Sequence, residues 1–237
     1  KALELLSAQQ ALADVATFVQ HIKSTMGATG KVVTFGGSYA GALSSWARKT
    51  HGDTIDAALA SSGPVQAIVD FTQYMEVVYA SLGDKVAGGF AECPSRIRAS
   101  FEVASRRLAS NPTATLKSLG SCQMSLNSSL DEWALWEGLS NPIAGAVQYN
   151  LESAHGVADV CSFFTQVDEN EPDRLFSALS NLTMASLKWY DMPCNDNNFT
   201  SSQIDLISNT SAQPQEEGVG IRQWTWQTCA EFGYYQT

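Results

Sequence analysis

A chain of 237 residues with 44% hydrophobic side chains can bury a core, as one large domain or two small ones. Its 24 acidic against 14 basic residues leave a formal net charge of −10. Phosphate binding needs dense Lys and Arg, so nucleic acid is excluded as a partner, and no apolar run is long enough for a membrane span.

Residues 7–24 read as a helix: Ser7 and Gln10 have capping-box spacing, and Leu12, Val15, Val19 and Ile22 recur at helical steps. Gly27 and Gly30 close it. The stretch KVVTFGGSYAG, residues 31–41, then sets a β-prone strand, Lys31–Phe35, directly before two glycines and a serine. A second helix follows to about His51, and IDAALASSGPV reads as a buried strand at Ile55–Ala60 ended by a turn. Helix, strand, helix, strand is the cadence of an α/β sheet.

Beyond Val65 the texture changes. Helical patterns cover Phe71–Leu82, Ser95–Leu108, Asp131–Leu139, Val157–Phe164 and Asp173–Trp189, with almost no strand among them. Residues 195–220 are polar and turn-rich, a surface loop, and IRQWTWQT, residues 221–228, reads as a return to strand. The expected architecture is an incomplete α/β sheet in 1–68, a helical insertion in 69–220, and re-entry to the sheet in 221–237.

The strand-to-helix junction carries the chemistry. A nucleophile elbow sets its serine on a tight turn with small residues two before and two after it. Gly36 fits the first position; Ala40 departs from glycine at the second, with Gly41 one step on. Ser38 is the expected nucleophile, and the backbone N–H of Tyr39, at a helix N-terminus, an oxyanion donor. His21 and His51 flank the elbow and His155 sits in the insertion; none stands where this architecture puts its general base. The chain therefore reads as cut at both ends, and inert alone.

Five cysteines, Cys93, Cys122, Cys161, Cys194 and Cys229, show neither C-x-x-C pairs nor histidines at zinc spacing, which favours disulfides over a metal. Sequons at Asn127, Asn181, Asn198 and Asn209 lie among them, the pattern of a glycosylated, extracytoplasmic segment. No signal peptide is visible, so a secreted form is expected to begin further upstream.

The elbow GGSYAG, the following ALSSWARKTHGDTIDAALASSGPV, the helix LSAQQALADVATFVQHIK and the terminal RQWTWQTCAEFGYYQT together resemble the prolyl carboxypeptidase, dipeptidyl-peptidase II and thymus-specific serine protease family, most closely its thymus-specific branch. The resemblance implies an α/β-hydrolase domain interrupted by a disulfide-stapled helical cap. It implies a lysosomal or secreted serine exopeptidase acting on peptides beside proline or a small residue, without cofactor or metal. Ser38 and Tyr39 keep their roles, and the triad Asp and His fall after Thr237. Tyr234 stands where one branch supplies an apolar pocket wall. Ala42 replaces a methionine of relatives, implying a wider, less proline-selective pocket. Glu231 is either an anchor for a substrate amine or, as the favoured reading, a buried carboxylate bonded to the sheet.

The family's pairing order implies Cys93–Cys161 and Cys122–Cys194, each closing a loop of about 70 residues worth about 4 kcal/mol in the chain-entropy model, with Cys229 left over. Trp133, Trp136 and Trp189 are expected in the cap core. The expected partners are peptides, with a homodimer also allowed. A second reading from another class is a non-catalytic secreted glycoprotein that keeps the fold as a binding module.

Overall fold

The computed structural model describes residues 2–151, 154–208 and 220–236. Contacts divide the chain into two compact units: the described residues of Lys1–Phe71 with Gly218–Gln236, and those of Thr72–Glu217.

The first unit opens with helix α1 (Ala8–Thr25), whose Ser7 hydroxyl accepts from the Gln10 N–H at 3.1 Å and whose Ala16 and Val19 are buried. Strand β1 (Val33–Gly37), helix α2 (Tyr39–Thr50) and strand β2 (Ala57–Ser61) form a β-α-β turn, with β1 and β2 parallel and in register from Val33–Ala57 to Gly37–Ser61. Polar ties lock the helix on the strands: the Ser44 hydroxyl meets Thr34 Oγ1 at 2.9 Å and the Leu59 carbonyl at 3.2 Å, and Arg48 Nε donates to the Asp56 carbonyl at 2.9 Å. The expected second strand is thus shifted onward. Ile55 is fully buried, yet it precedes the ladder, while β2 is mostly exposed, with Leu59 joining Val33 and Phe35 of β1 as open apolar surface. A third short strand, β3 (Ile68–Asp70), lies where no strand was expected.

The second unit is helical: α3 (Gln73–Leu82), α4 (Cys93–Ser110), α5 (Pro112–Ser118), α6 (Ser129–Gln148), α7 (Val157–Ser162), α8 (Pro172–Trp189) and α9 (Asp205–Ser208), the last reached through a π-helical turn at Thr200–Ile204 within the expected loop. Its core joins Leu82, Ile97, Leu116, Leu135 and Leu179 from five of these helices with Phe164 from the turn after α7. Helix α6 runs nine residues past the expected Leu139, through Pro142. An internal proline costs about 3 kcal/mol, but Ile143, Ala144 and Ala146 beyond it are all buried, and their packing outweighs the lost hydrogen bond. Trp136 and Trp189 pack on this core, whereas Trp133 is 48% exposed and meets Phe199 edge-on, so it lies outside the core expected for it.

Disulfides Cys93–Cys161 and Cys122–Cys194 cross-link the unit. Of the sequons, Asn127 and Asn181 are exposed, Asn198 is half-buried with its Oδ1 accepting from the Thr200 and Ser201 N–H groups, and Asn209 lies outside the described residues.

The chain returns to the first unit as helix α10 (Ile221–Gln227), a π-helical turn at Thr228–Phe232 and strand β4 (Gly233–Tyr235). The expected strand at 221–228 is therefore a helix, and the return to sheet comes at β4, parallel to β3. Trp224 and Trp226 alternate with polar neighbours as a strand would, but Trp224 and Gln227, one helical turn apart, both reach Tyr39, and that shared contact fixes the helix.

Asp131 is the polar hub of the second unit: its carboxylate accepts from the Phe199 and Asn127 N–H groups, both at 2.9 Å. These bonds hold its carboxyl below the usual range. A lowered native value means the ionised form stabilises the fold. That contribution is complete above the ordinary carboxylate pKa of about 4 and is lost as pH falls through the native value. Asp131→Asn should lower the melting temperature at pH 5 and pH 7, and thermal scans should show the deficit shrinking below pH 4.

Candidate active site

Strand β1 ends at Gly37, and Ser38 turns the chain into α2 with φ 56° and ψ −130°. An L-residue rarely takes this conformation, at a cost of about 1–3 kcal/mol, so surrounding contacts must hold it. The Ser38 N–H donates to the Ser61 carbonyl at 3.0 Å, extending the β1–β2 ladder one step into the turn. The Ser38 carbonyl accepts from Gly41 and Ala42 N–H at 2.9 and 3.2 Å, starting the helix. The Ser38 side chain makes no capping bond and is exposed.

Glycines permit the bend. A Cβ on Gly36 would lie 2.0 Å from the Ala40 carbonyl oxygen, and one on Gly41 would lie 2.7 Å from the Ser61 carbonyl oxygen. Close approach on the helix side thus falls at Gly41, three residues past the serine. Ala40, where an elbow often has glycine, is exposed and has room for its methyl. The N–H groups of Tyr39 and Ala40 precede the first intrahelical donors, so they are the helix-terminal groups that an anion beside Ser38 would meet.

The Tyr39 ring is gripped by the returning segment. It stacks on Phe232 with centroids 4.8 Å apart and meets Trp224 at 5.7 Å and Trp46 at 6.5 Å edge-on, while its hydroxyl accepts from Gln227 Nε2 at 3.3 Å. Burial, reinforced by the nearby Glu231 charge, pushes its phenol above the usual value.

Of the other sequence candidates, Ala42 and Glu231 sit differently from expectation. Ala42 is 0% exposed, its backbone N–H packed under Gly63, so among the described residues its methyl belongs to the interior of the unit. Glu231 is exposed and is not bonded to the sheet. Both its oxygens accept from the Ala8 N–H, at 3.0 and 2.8 Å, placing a negative charge at the N-terminus of α1. It borders a cavity of about 260 Å³ shared with Ile68, Cys229 and Tyr235. Cys229 is an exposed free thiol that accepts from the Tyr235 hydroxyl at 3.1 Å. Tyr234 is half-buried, and its hydroxyl is engaged by the backbone carbonyls of Pro64 and Gln66. His51 caps the end of α2, thirteen residues past Ser38 and about 20 Å along the helix axis, and His21 is exposed on α1. Neither is hydrogen-bonded to Ser38.

Sequence reading missed the Ser61 carbonyl, Gly63 and the trio Trp224, Gln227 and Phe232. The SSGP turn gave the only local sign of the first two; the trio is assembled by tertiary contact alone.

The whole chain, residues 1–237, matches the family described as serine carboxypeptidase S28. A thymus-specific serine protease of Mus musculus is 34% identical over 99% of this chain and 47% of its own length. A putative serine protease of Caenorhabditis elegans is 33% identical over 99% and 46%, and a lysosomal Pro-X carboxypeptidase of Bos taurus 28% over 97% and 45%. The chain spans about half the length of the curated relatives it matches.

The two neighbouring glycines make a sharp test of the bend. Gly36→Ala should destabilise the protein by about 1–3 kcal/mol, the usual cost of overpacking, because backbone blocks its methyl. Gly37→Ala, with nothing within 4 Å, should leave the urea midpoint nearly unchanged.

Proposed function

This chain belongs to the serine carboxypeptidase S28 family, and we propose that it carries the nucleophile of a serine exopeptidase that cleaves peptides beside proline or a small residue. One observation carries the reading: Ser38 offers an unbonded, exposed hydroxyl on a strained strand-to-helix turn, beside the first N–H groups of α2. In the proposed reaction Ser38 Oγ attacks the scissile carbonyl and loses its proton to a base. The tetrahedral oxyanion takes a hydrogen bond from the Tyr39 N–H, and the amine leaves with a proton to give an acyl-enzyme, which water then hydrolyses.

The base and the carboxylate that orients it are assigned to the remainder of the full-length polypeptide, since neither His21 nor His51 is hydrogen-bonded to Ser38. The proline or small-residue preference rests on the family and on the relative named for Pro-X cleavage. In this reading the second unit serves as the cap. Its two disulfides suit an oxidising compartment, in keeping with a lysosomal or secreted location. Among the described residues no helix is long and apolar enough to cross a membrane.

The test is covalent labelling of the full-length protein by a fluorophosphonate probe, with peptide mapping of the adduct. Phosphonylation at Ser38, abolished in Ser38→Ala, is expected. Labelling that survives in Ser38→Ala, or a wild-type protein that is never labelled, contradicts the assignment.

A further inference from the structure

Ser38 depends on the Ser61 carbonyl for its backbone hydrogen bond, and so on whatever holds the chain just after β2. That segment is unusual. Ser62 has φ 49°, and Gly63 packs so tightly on the first turn of α2 that a Cβ there would lie 2.9 Å from both Ala42 N and Gly41 C. Val65 N–H closes back on the Gly63 carbonyl at 2.9 Å. Residues 61–65 are thus the floor on which the elbow rests.

The floor is tied from the far end of the chain. The Tyr234 hydroxyl donates to the Pro64 carbonyl at 2.7 Å, with the Gln66 carbonyl as a second acceptor. A hydroxyl has one proton, so the two carbonyls share it across the turn. Tyr234 reaches them from a conformation of its own that is costly for a bulky residue, φ 60°, following Gly233 at φ 66°. A Cβ at Gly233 would lie 2.8 Å from Val69 Cα, so β4 can sit this close to β3 only with glycine there. The Tyr234 ring is steadied edge-on by Phe71, with centroids 5.9 Å apart. Three of the four non-glycine residues with positive φ among the described residues, Ser38, Ser62 and Tyr234, therefore belong to one run of contacts. Strain gathered in this way is kept only where other contacts over-determine it.

We infer that Tyr234 is a positioning residue for the nucleophile: through its hydroxyl it fixes the Pro64–Gln66 turn, and through Ser61 the backbone angle of Ser38. This rests on Ser38 being the nucleophile. It also separates Tyr234 from substrate contact, since its polar end is engaged on backbone and the effect passes through the peptide chain.

The test uses the full-length protein and Tyr234→Phe, which keeps the ring and removes one donor. Loss of one such hydrogen bond should lower the fluorophosphonate labelling rate at Ser38, and kcat on an N-blocked Ala-Pro-Phe peptide, roughly fivefold, with KM within twofold. Replacement of Tyr234 by p-aminophenylalanine, which restores a donor, should recover the rate. A labelling rate equal to wild type overturns the inference, as does a change confined to KM, which is what a substrate-contacting wall would give. If the phenylalanine form does not fold, deuterium exchange of the wild-type protein decides. The Val65 amide should be protected at least a hundredfold over an unstructured peptide, and exchange at the free-loop rate overturns the tie. Failure of the nucleophile reading is distinct, because wild type itself would then go unlabelled.

Discussion

The first unit is organised around holding one L-serine at φ 56° and ψ −130°, a conformation that isolated backbone avoids. The restraint comes from three directions. Strand β2 supplies an acceptor, the Ser61 carbonyl, for the Ser38 N–H. Glycines at 36, 41 and 63 let three backbone segments meet at distances that a Cβ would forbid. Helix α2 starts at once, so the serine carbonyl is bonded by Gly41 and Ala42. With its backbone groups engaged, the residue has only its hydroxyl to offer, and that hydroxyl is exposed beside a helix N-terminus.

The returning segment, from Gly220 to β4, gives this turn its brace. Phe232 and Trp224 clasp the ring of Tyr39, Gln227 reaches its hydroxyl, Glu231 holds the start of α1, and Tyr234 holds the turn after β2. These groups come from 188 to 223 residues away along the chain for the contacts of Gln227 and Glu231. The whole second unit intervenes in sequence, with its own core and its own disulfides. The backbone geometry of Ser38 is therefore a long-range property of the chain, although the motif that announces the turn is six residues long.

That contrast explains what sequence alone could reveal. Helix α1 was legible because Val19 and its helical neighbours recur with the right period behind a Ser7 cap, and the elbow because Gly36 and Ser38 follow a β-prone run. Both are local signals. The helix at 221–227 was not legible, since Trp224 and Trp226 mimic strand alternation and only contact with Tyr39 settles the period. Strands β3 and β4 are three residues each, too short for any pattern, and they pair with each other rather than with the main ladder. The bonds of Glu231 and Tyr234 escaped for a related reason: the favoured reading put Glu231 on the sheet and the family resemblance gave Tyr234 as an apolar wall, while partners far away in sequence hold both side chains on backbone groups. For Ala42, burial decides the matter, and burial is set by Gly63 packing on the helix above it.

The most direct measurement is a crystal structure of the full-length protein after reaction with a small organophosphorus reagent. The expected result is phosphorus bonded to Ser38 Oγ, the serine still near φ 56° with its N–H on the Ser61 carbonyl, and a phosphoryl oxygen facing the Tyr39 N–H. An unmodified Ser38, or a modified one relaxed to negative φ and released from Ser61, would contradict it.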